Sequence, residues 1–210
     1  MSKPSTRSTG RTQIYGDLRS GNCYKIKLLC ALLGIDHDWI AVDIMQGETR
    51  SDSFLAMNPN AEIPVCVTDS GEIITQSNAI LYYLGNASRF WPGTPLAQTR
   101  VLEWQFFEQY SHEPNIAVAR FIKLYQDMPE SRLAEYESKI KPGYRALDLM
   151  DKTLSHSPFL VGQECTIADI SLFAYTHVAH EGGFNLDKYD GIQNWLQRIQ
   201  SLQGFVAMGG

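Results

Sequence analysis

"NPNAEIPVCVTDSGEIITQSNAILYYLGNAS", Asn58 to Ser88, holds two short β-favouring runs, Ile63 to Thr68 and Glu72 to Thr75, around the turn residues Asp69, Ser70 and Gly71. Two such runs about a polar, glycine-bearing turn predict a hairpin. A helix is predicted to follow from Ser77, with Ile80, Tyr83, Leu84 and Ala87 on one face. Pro64 cannot donate to a strand ladder, which confines it to an edge or to the first position of its strand.

Upstream, "IYGDLRSGNCYKIKLL" (Ile14 to Leu29) opens on β-favouring residues and turns through a Gly- and Asn-bearing kink. It continues at Ile26, Leu29, Cys30 and Leu33 with helical spacing. Ser20, Asn22 and Cys23 therefore fall where a strand ends and a helix begins, beside backbone N–H groups that still lack partners. Such a kink suits a thiol or an anion. "HDWIAVDI" reads as a second strand, followed by a Gly- and charge-rich passage from Gln46 to Asp52. Strand, helix, strand, irregular segment, hairpin and helix make one α/β unit of about a hundred residues or fewer.

"RFWPGTPL", with two prolines and a glycine, reads as a linker, and beyond it strand signals vanish. The expected division is a flexible leader at 1–11, an α/β unit at 12–88, a linker at 89–96 and an all-helical unit at 97–210. Pro114 and Pro142 should each kink a helix or mark its boundary. "TIADISLFAYTHVAH" starts on Thr166 with Asp169 three places on, a capping-box-like start to an apolar helix.

The bulk properties narrow the function. A chain of 210 residues with 44% hydrophobic content can bury a sizeable core. A formal charge of -5 and the lack of a Lys/Arg run argue against a nucleic-acid or anionic-membrane surface. The polar start lacks an apolar h-region, and no long uncharged apolar run follows, so a cytoplasmic location is expected. Cys23, Cys30, Cys66 and Cys165 form no C-x-x-C pair, which points to free thiols and to neither a zinc site nor a disulfide framework.

Four pieces, "LRSGNCYKIKLL", "NPNAEIPV", "TQSNAILYYL" and "FLVGQECTIADISLFAY", taken in order and at these spacings, carry a family resemblance. The chain resembles the cytosolic glutathione S-transferases over nearly its whole length after the leader, with a serine- or nu-class-like active site. The resemblance implies a thioredoxin-like α/β domain followed by an all-α domain. It also implies glutathione as co-substrate, no metal, and a homodimer pairing the N-terminal domain of one subunit with the helical domain of the other.

Residue by residue, the resemblance makes Ser20 the hydroxyl that donates to the glutathione sulfur, and Asn22 the amide that nu-class relatives place near the same atom. The plainer alternative for both is a turn and a helix cap. Tyr15 is the rival donor, since tyrosine-type classes use a strand tyrosine, although strand aromatics usually pack in the core. Cys23 is offset from the cysteine that forms a mixed disulfide in other classes, and packing at the helix start is its ordinary role.

Pro64 is expected to be cis, leaving the Ile63 backbone to pair with the cysteinyl backbone of glutathione. Gln76 and Ser77 stand before a helix, where a γ-glutamyl carboxylate would bind. Glu62 departs from the family pattern, which has Lys, Arg or Gln there, and Arg50 is the candidate replacement for the glycyl carboxylate. Tyr110 and His112 are candidates for the second-substrate pocket, with core packing the alternative for Trp104 and Phe107. His177, His180 and Glu181 could be offered as a metal cluster, but the H-x-x-H pair lacks a third ligand at metal spacing and reads as a helix face.

The function implied is activation of glutathione as a thiolate for attack on a small electrophile. Reduction of a disulfide or peroxide in the nu-class manner, or a glutathione-binding scaffold without useful turnover, are the alternatives.

Overall fold

A computed structural model describes residues 10–209. Residues 1–9 of the expected leader lie outside the described residues, and Arg11 forms ion pairs with Asp36 and Asp38 at 3.8 and 3.3 Å. The chain divides into two units between Leu84 and Gly85, and the stretch from Val206 onward returns to the first. This boundary precedes the expected one at 88, and the helical unit stops at Phe205.

The first unit is built as β1 (Thr12–Gly16), α1 (Gly21–Leu33), β2 (His37–Ala41), α2 (Asp52–Met57), β3 (Val65–Val67), β4 (Ile73–Thr75) and α3 (Ser77–Gly85). Its sheet has the order β2-β1-β3-β4, with β1 and β2 parallel and both β1–β3 and β3–β4 antiparallel. That is the thioredoxin-like arrangement implied by the resemblance. Both hairpin strands are shorter than the sequence runs, and the turn is closed by Gly71 N–H to Thr68 O and Thr68 N–H to Glu72 O, each at 2.9 Å.

Helix α1 is buried on nearly all sides, with Cys23, Tyr24, Ile26, Leu28, Leu29 and Cys30 at most 1% exposed. Full burial of such an aliphatic side chain stabilises by about 1.5–3 kcal/mol. The end of β1 presses so closely on α1 that a Cβ on Gly16 would lie 2.7 Å from the Cys23 sulfur, so a larger residue there would have to push the thiol aside.

Helix α3 buries Ser77, Ile80, Leu81 and Gly85, whereas Tyr83 is 45% exposed and Ala87 is exposed beyond the helix end. The core-facing stripe is therefore rotated from the expected Ile80–Tyr83–Leu84–Ala87 set. Adjacent apolar residues at 80–84 allow either register, and the fixed helix start at Ser77 selects this one.

The second unit contains α4 (Pro95–Phe107), α5 (Glu113–Arg120), α6 (Leu133–Leu154), α7 (Ile167–Thr176) and α8 (Asp190–Gln200). Glu108–His112 and Phe121–Tyr125 are π turns flanking α5. Pro114 stands in the first turn of α5, where its missing N–H is not needed. Pro142 lies inside α6, so it is no boundary. A Cβ on Gly143 beside it would meet the Phe184 ring at 2.5 Å, so any side chain at that position would have to displace the ring.

All ten residues of α7 are buried. Its Asp169 carboxylate takes the Thr166 N–H and hydroxyl at 2.8 and 2.9 Å and the Leu160 N–H at 2.9 Å. Burial raises the Asp169 pKa, while these hydrogen bonds hold it down. Among the described residues no helix is long and apolar enough to cross a membrane.

Candidate functional site

The sharp turn from β1 to α1 sets the first part of the site. Ser20 occupies the N-cap with φ −77° and ψ 126°, and its carbonyl accepts the Tyr24 N–H at 2.8 Å. Its side chain makes no helix-capping hydrogen bond. The cap reading of Ser20 thus holds for the backbone alone. Burial pushes the Cys23 thiol up to about 12, against the lowering effect of the Ser20 hydroxyl, and so removes Cys23 as a reactive thiol.

The second part is the approach to α3. Ile63–Pro64 is cis. Pairing of β3 begins at Val65, opposite Tyr15 on one side and Thr75 on the other, so the Ile63 peptide lies outside both ladders. Gln76 adopts φ 69°, a left-handed conformation that non-glycine residues seldom take. It follows directly on β4 and turns the chain into α3, and its Nε2 donates to Glu62 at 3.5 Å.

Side chains join the two parts. The Ser77 hydroxyl donates to Asn22 Oδ1 at 3.2 Å and accepts from Lys25 Nζ at 3.1 Å. Ser77 is 6% exposed and Lys25 0%. Lys25 escaped the sequence reading, because a lysine in a helix ordinarily reaches solvent. The available signal was Leu28 and Leu29 at its i+3 and i+4 positions, which put it on an apolar face.

Tyr15 packs against the Val42, Phe54 and Val65 cluster, and its hydroxyl donates to Gln13 at 3.5 Å. Arg50 is exposed at the end of a short 3-10 turn, Glu48–Arg50, and no side-chain hydrogen bond or ion pair among the described residues joins it to the others.

In the helical unit a cavity of about 380 Å³ is lined by Phe107, Tyr110, Ser111, Asn115, Pro142 and Arg145, among others. Tyr110 is 88% exposed there. His112 is fully buried with Nε2 2.9 Å from the Thr176 hydroxyl, and does not line the cavity. The expectation for His112 is corrected accordingly: the π turn carries it inward while Tyr110 remains outside.

Glu181 is ion-paired with Arg120, and His177 Nδ1 bonds the Phe173 carbonyl at 2.8 Å. Among the described residues no group of three His, Cys, Asp or Glu side chains is arranged to hold a metal.

Residues 19–87 match the family described as Glutathione S-transferase, N-terminal domain, and residues 112–203 match Glutathione S-transferase, C-terminal domain. A solved glutathione S-transferase from Pseudomonas fluorescens is 56% identical with a TM-score of 0.93, over 95% of this chain and 99% of that one. A second, from Xanthobacter autotrophicus, is 41% identical with a TM-score of 0.90, over 94% and 97% of the two chains. Ure2p in complex with glutathione shares the fold at 20% identity and a TM-score of 0.81, over 92% and 90%. Protein URE2 of Eremothecium gossypii is 25% identical over 85% of this chain, which spans 62% of that protein's length.

Proposed function

Because the chain belongs to the glutathione S-transferase family, we propose that it binds glutathione in its first unit and activates the thiol for attack on a small electrophile. The observation that carries this reading is the joined cluster of Asn22, Ser77 and buried Lys25 at the starts of α1 and α3. Ser77 and the first N–H groups of α3 take the γ-glutamyl carboxylate, with Gln76 beside it. The Ile63 peptide, outside both ladders, pairs with the cysteinyl backbone. Arg50 faces the glycyl end in this proposal, and no metal takes part.

At the sulfur, Ser20 and Asn22 donate to the thiolate. An unperturbed thiol with a pKa of about 8.5 is mostly protonated at neutral pH, so anion-stabilising donors raise the nucleophile fraction. The thiolate attacks the electrophilic carbon, a C–S bond forms, and the leaving group departs with the bonding pair. Tyr110 and its cavity serve the second substrate, without His112.

Glutathione occupies Ure2p in its solved structure, and S-hexylglutathione does so in another, which supports the ligand class. A two-fold homodimer in the cytoplasm completes the proposal. Exposed Leu102 and Phe106, four residues apart on α4, at 38% and 71%, support the pairing.

The test is turnover with excess glutathione on an aryl halide, a hydroperoxide and a mixed disulfide, with calorimetry of glutathione binding. Conjugation of the aryl halide is expected. Activity on the disulfide or peroxide alone would move the reaction to reduction, and binding without turnover would leave a scaffold.

A further inference from the structure

Resting on the transferase reading above, we infer that the Tyr110 cavity selects an aromatic electrophile carrying an anionic group, and that Arg145 pairs with that group.

Arg145 differs from the other arginines of the helical unit. Arg100 pairs with Glu103 and Arg132 with Glu135, each three places on, at 2.6 and 2.8 Å, and Arg120 pairs with Glu181. Arg198 donates to the Pro158 carbonyl at 3.2 Å, and Arg89 lies 4.9 Å over the Phe90 ring. Arg145 also has an acid three places on, Asp148, but that carboxylate accepts the Tyr189 hydroxyl at 2.8 Å. Positions 141, 142 and 149 hold lysine, proline and leucine, so no other acid shares that face within a helical turn. Among the described residues Arg145 forms no hydrogen bond or ion pair.

This unengaged cation belongs to the cavity. Of the described residues that line it, Arg145 alone is charged. Ser111 and Asn115 are neutral, the Asn115 Nδ2 donating to the Ser111 carbonyl at 2.7 Å. The rest of the wall is aromatic or aliphatic, with the Phe107 ring set edge-on to Trp104 at 5.2 Å and Tyr110 standing 88% exposed. A volume of about 380 Å³ suits one substituted ring. Such a ring covers the exposed Tyr110, and a carboxylate on it meets the guanidinium fork, which is matched to a planar two-oxygen acceptor. A neutral ring gains the aromatic contacts alone, and a cationic one is repelled.

In 4-chloro-3-nitrobenzoate the chlorinated carbon lies para to the carboxylate, at the far end of the ring from Arg145. The glutathione thiolate attacks that carbon, the C–S bond forms, and chloride departs with the C–Cl bonding pair. Arg145 exchanges no proton in this step; it sets which ring is held.

The experiment measures conjugation with excess glutathione of 4-chloro-3-nitrobenzoate, its neutral amide and the cationic 4-chloro-3-nitrobenzylamine. Each kcat/KM is divided by the rate constant of the same compound with glutathione alone, which removes intrinsic reactivity. The wild-type protein should favour the acid over the amide by about tenfold, the effect of a charge-assisted bond, with the amine slowest. Arg145 is exposed on α6, so Arg145→Gln should fold. In that variant the ratio of acid to amide should fall to within about twofold through a raised KM for the acid, the amide being unaffected. Added salt should shrink the wild-type ratio and leave that of the variant in place.

A wild-type ratio of one or less, or a ratio that survives Arg145→Gln, overturns the inference and leaves the transferase reading intact. Equal loss of acid and amide turnover in the variant overturns it as well, since the residue would then act on the fold and not on the charge. Failure to conjugate any of the three compounds overturns the transferase reading, and the selection with it.

Discussion

Asp169 Oδ1 accepts the indole N–H of Trp195 at 2.9 Å, fastening the first turn of α7 to α8. The same carboxylate serves the Thr166 N–H, the Thr166 hydroxyl and the Leu160 N–H. Thr166→Ala removes one of these donors and should cost about 0.5–2 kcal/mol. Asp169→Ala strands several buried donors and should cost about 3 kcal/mol or more. Urea midpoints of the two variants order the effects; equal midpoints would remove the carboxylate from its central place. Glutathione affinity per folded molecule should be unchanged in Thr166→Ala.

The four cysteines should be silent in the native protein. All are buried and free, and burial pushes Cys23 and Cys30 up to about 12 and Cys66 to about 11, with Cys165 raised well above its ordinary value. The thiolate is the reactive form, so an aromatic disulfide reagent at mildly alkaline pH should label none of them on the minute timescale. In denaturant it should label all four. Rapid native labelling of Cys23 would instead favour a mixed-disulfide mechanism.

The helical unit should lose stability in mild acid through His177. Burial lowers its pKa, with the positive charge of Arg120 and the nearness of His180 acting in the same direction and the Phe173 carbonyl and Glu181 opposing. The folded form therefore binds fewer protons than the unfolded one. Its contribution is fully present above the unfolded value of about 6.5, and is lost as pH falls from there through the depressed folded value. His177→Asn should flatten this part of the stability curve, measured by urea denaturation at successive pH values. A slope identical to that of the parent would assign the titration elsewhere.

The sequence carried much of this architecture because the signals were local. The hairpin about Asp69–Gly71, the strand-to-helix turn at Ser20 and the start of α7 at Thr166 each depend on a few adjacent residues. What escaped was decided at a distance. The Lys25 ammonium group bonds Ser77, 52 residues away, and the local sequence signals only the apolar face on which Lys25 lies, not that partner. The two π turns shift the helical register, so that Tyr110 emerges while His112 turns inward toward Thr176. Ideal 3.6-residue spacing cannot anticipate that. The stripe on α3 differs from the expected one for a related reason: an apolar run with tyrosines in it admits two faces.

The remaining question is which donor activates the bound sulfur. Ser20 has its side chain outside the helix cap, and Asn22 stands in the first turn of α1, held by Ser77. Tyr15 is instead packed on the Val42–Phe54–Val65 cluster with its hydroxyl directed to Gln13. Ser20→Ala should raise the pKa of bound glutathione by about 1–2 units, equivalent to roughly 1.4–2.7 kcal/mol of lost thiolate stabilisation. Turnover at neutral pH should fall accordingly, while glutathione binding is largely kept because the carboxylate contacts lie at α3. Asn22→Ala should act in the same direction more weakly, and Tyr15→Phe should alter chiefly stability. Titration of the ultraviolet thiolate band in the three variants separates these cases. Loss of the band in Tyr15→Phe alone would transfer the role to the tyrosine, and its retention in all three would leave the backbone N–H groups at the start of α1 as the source of activation.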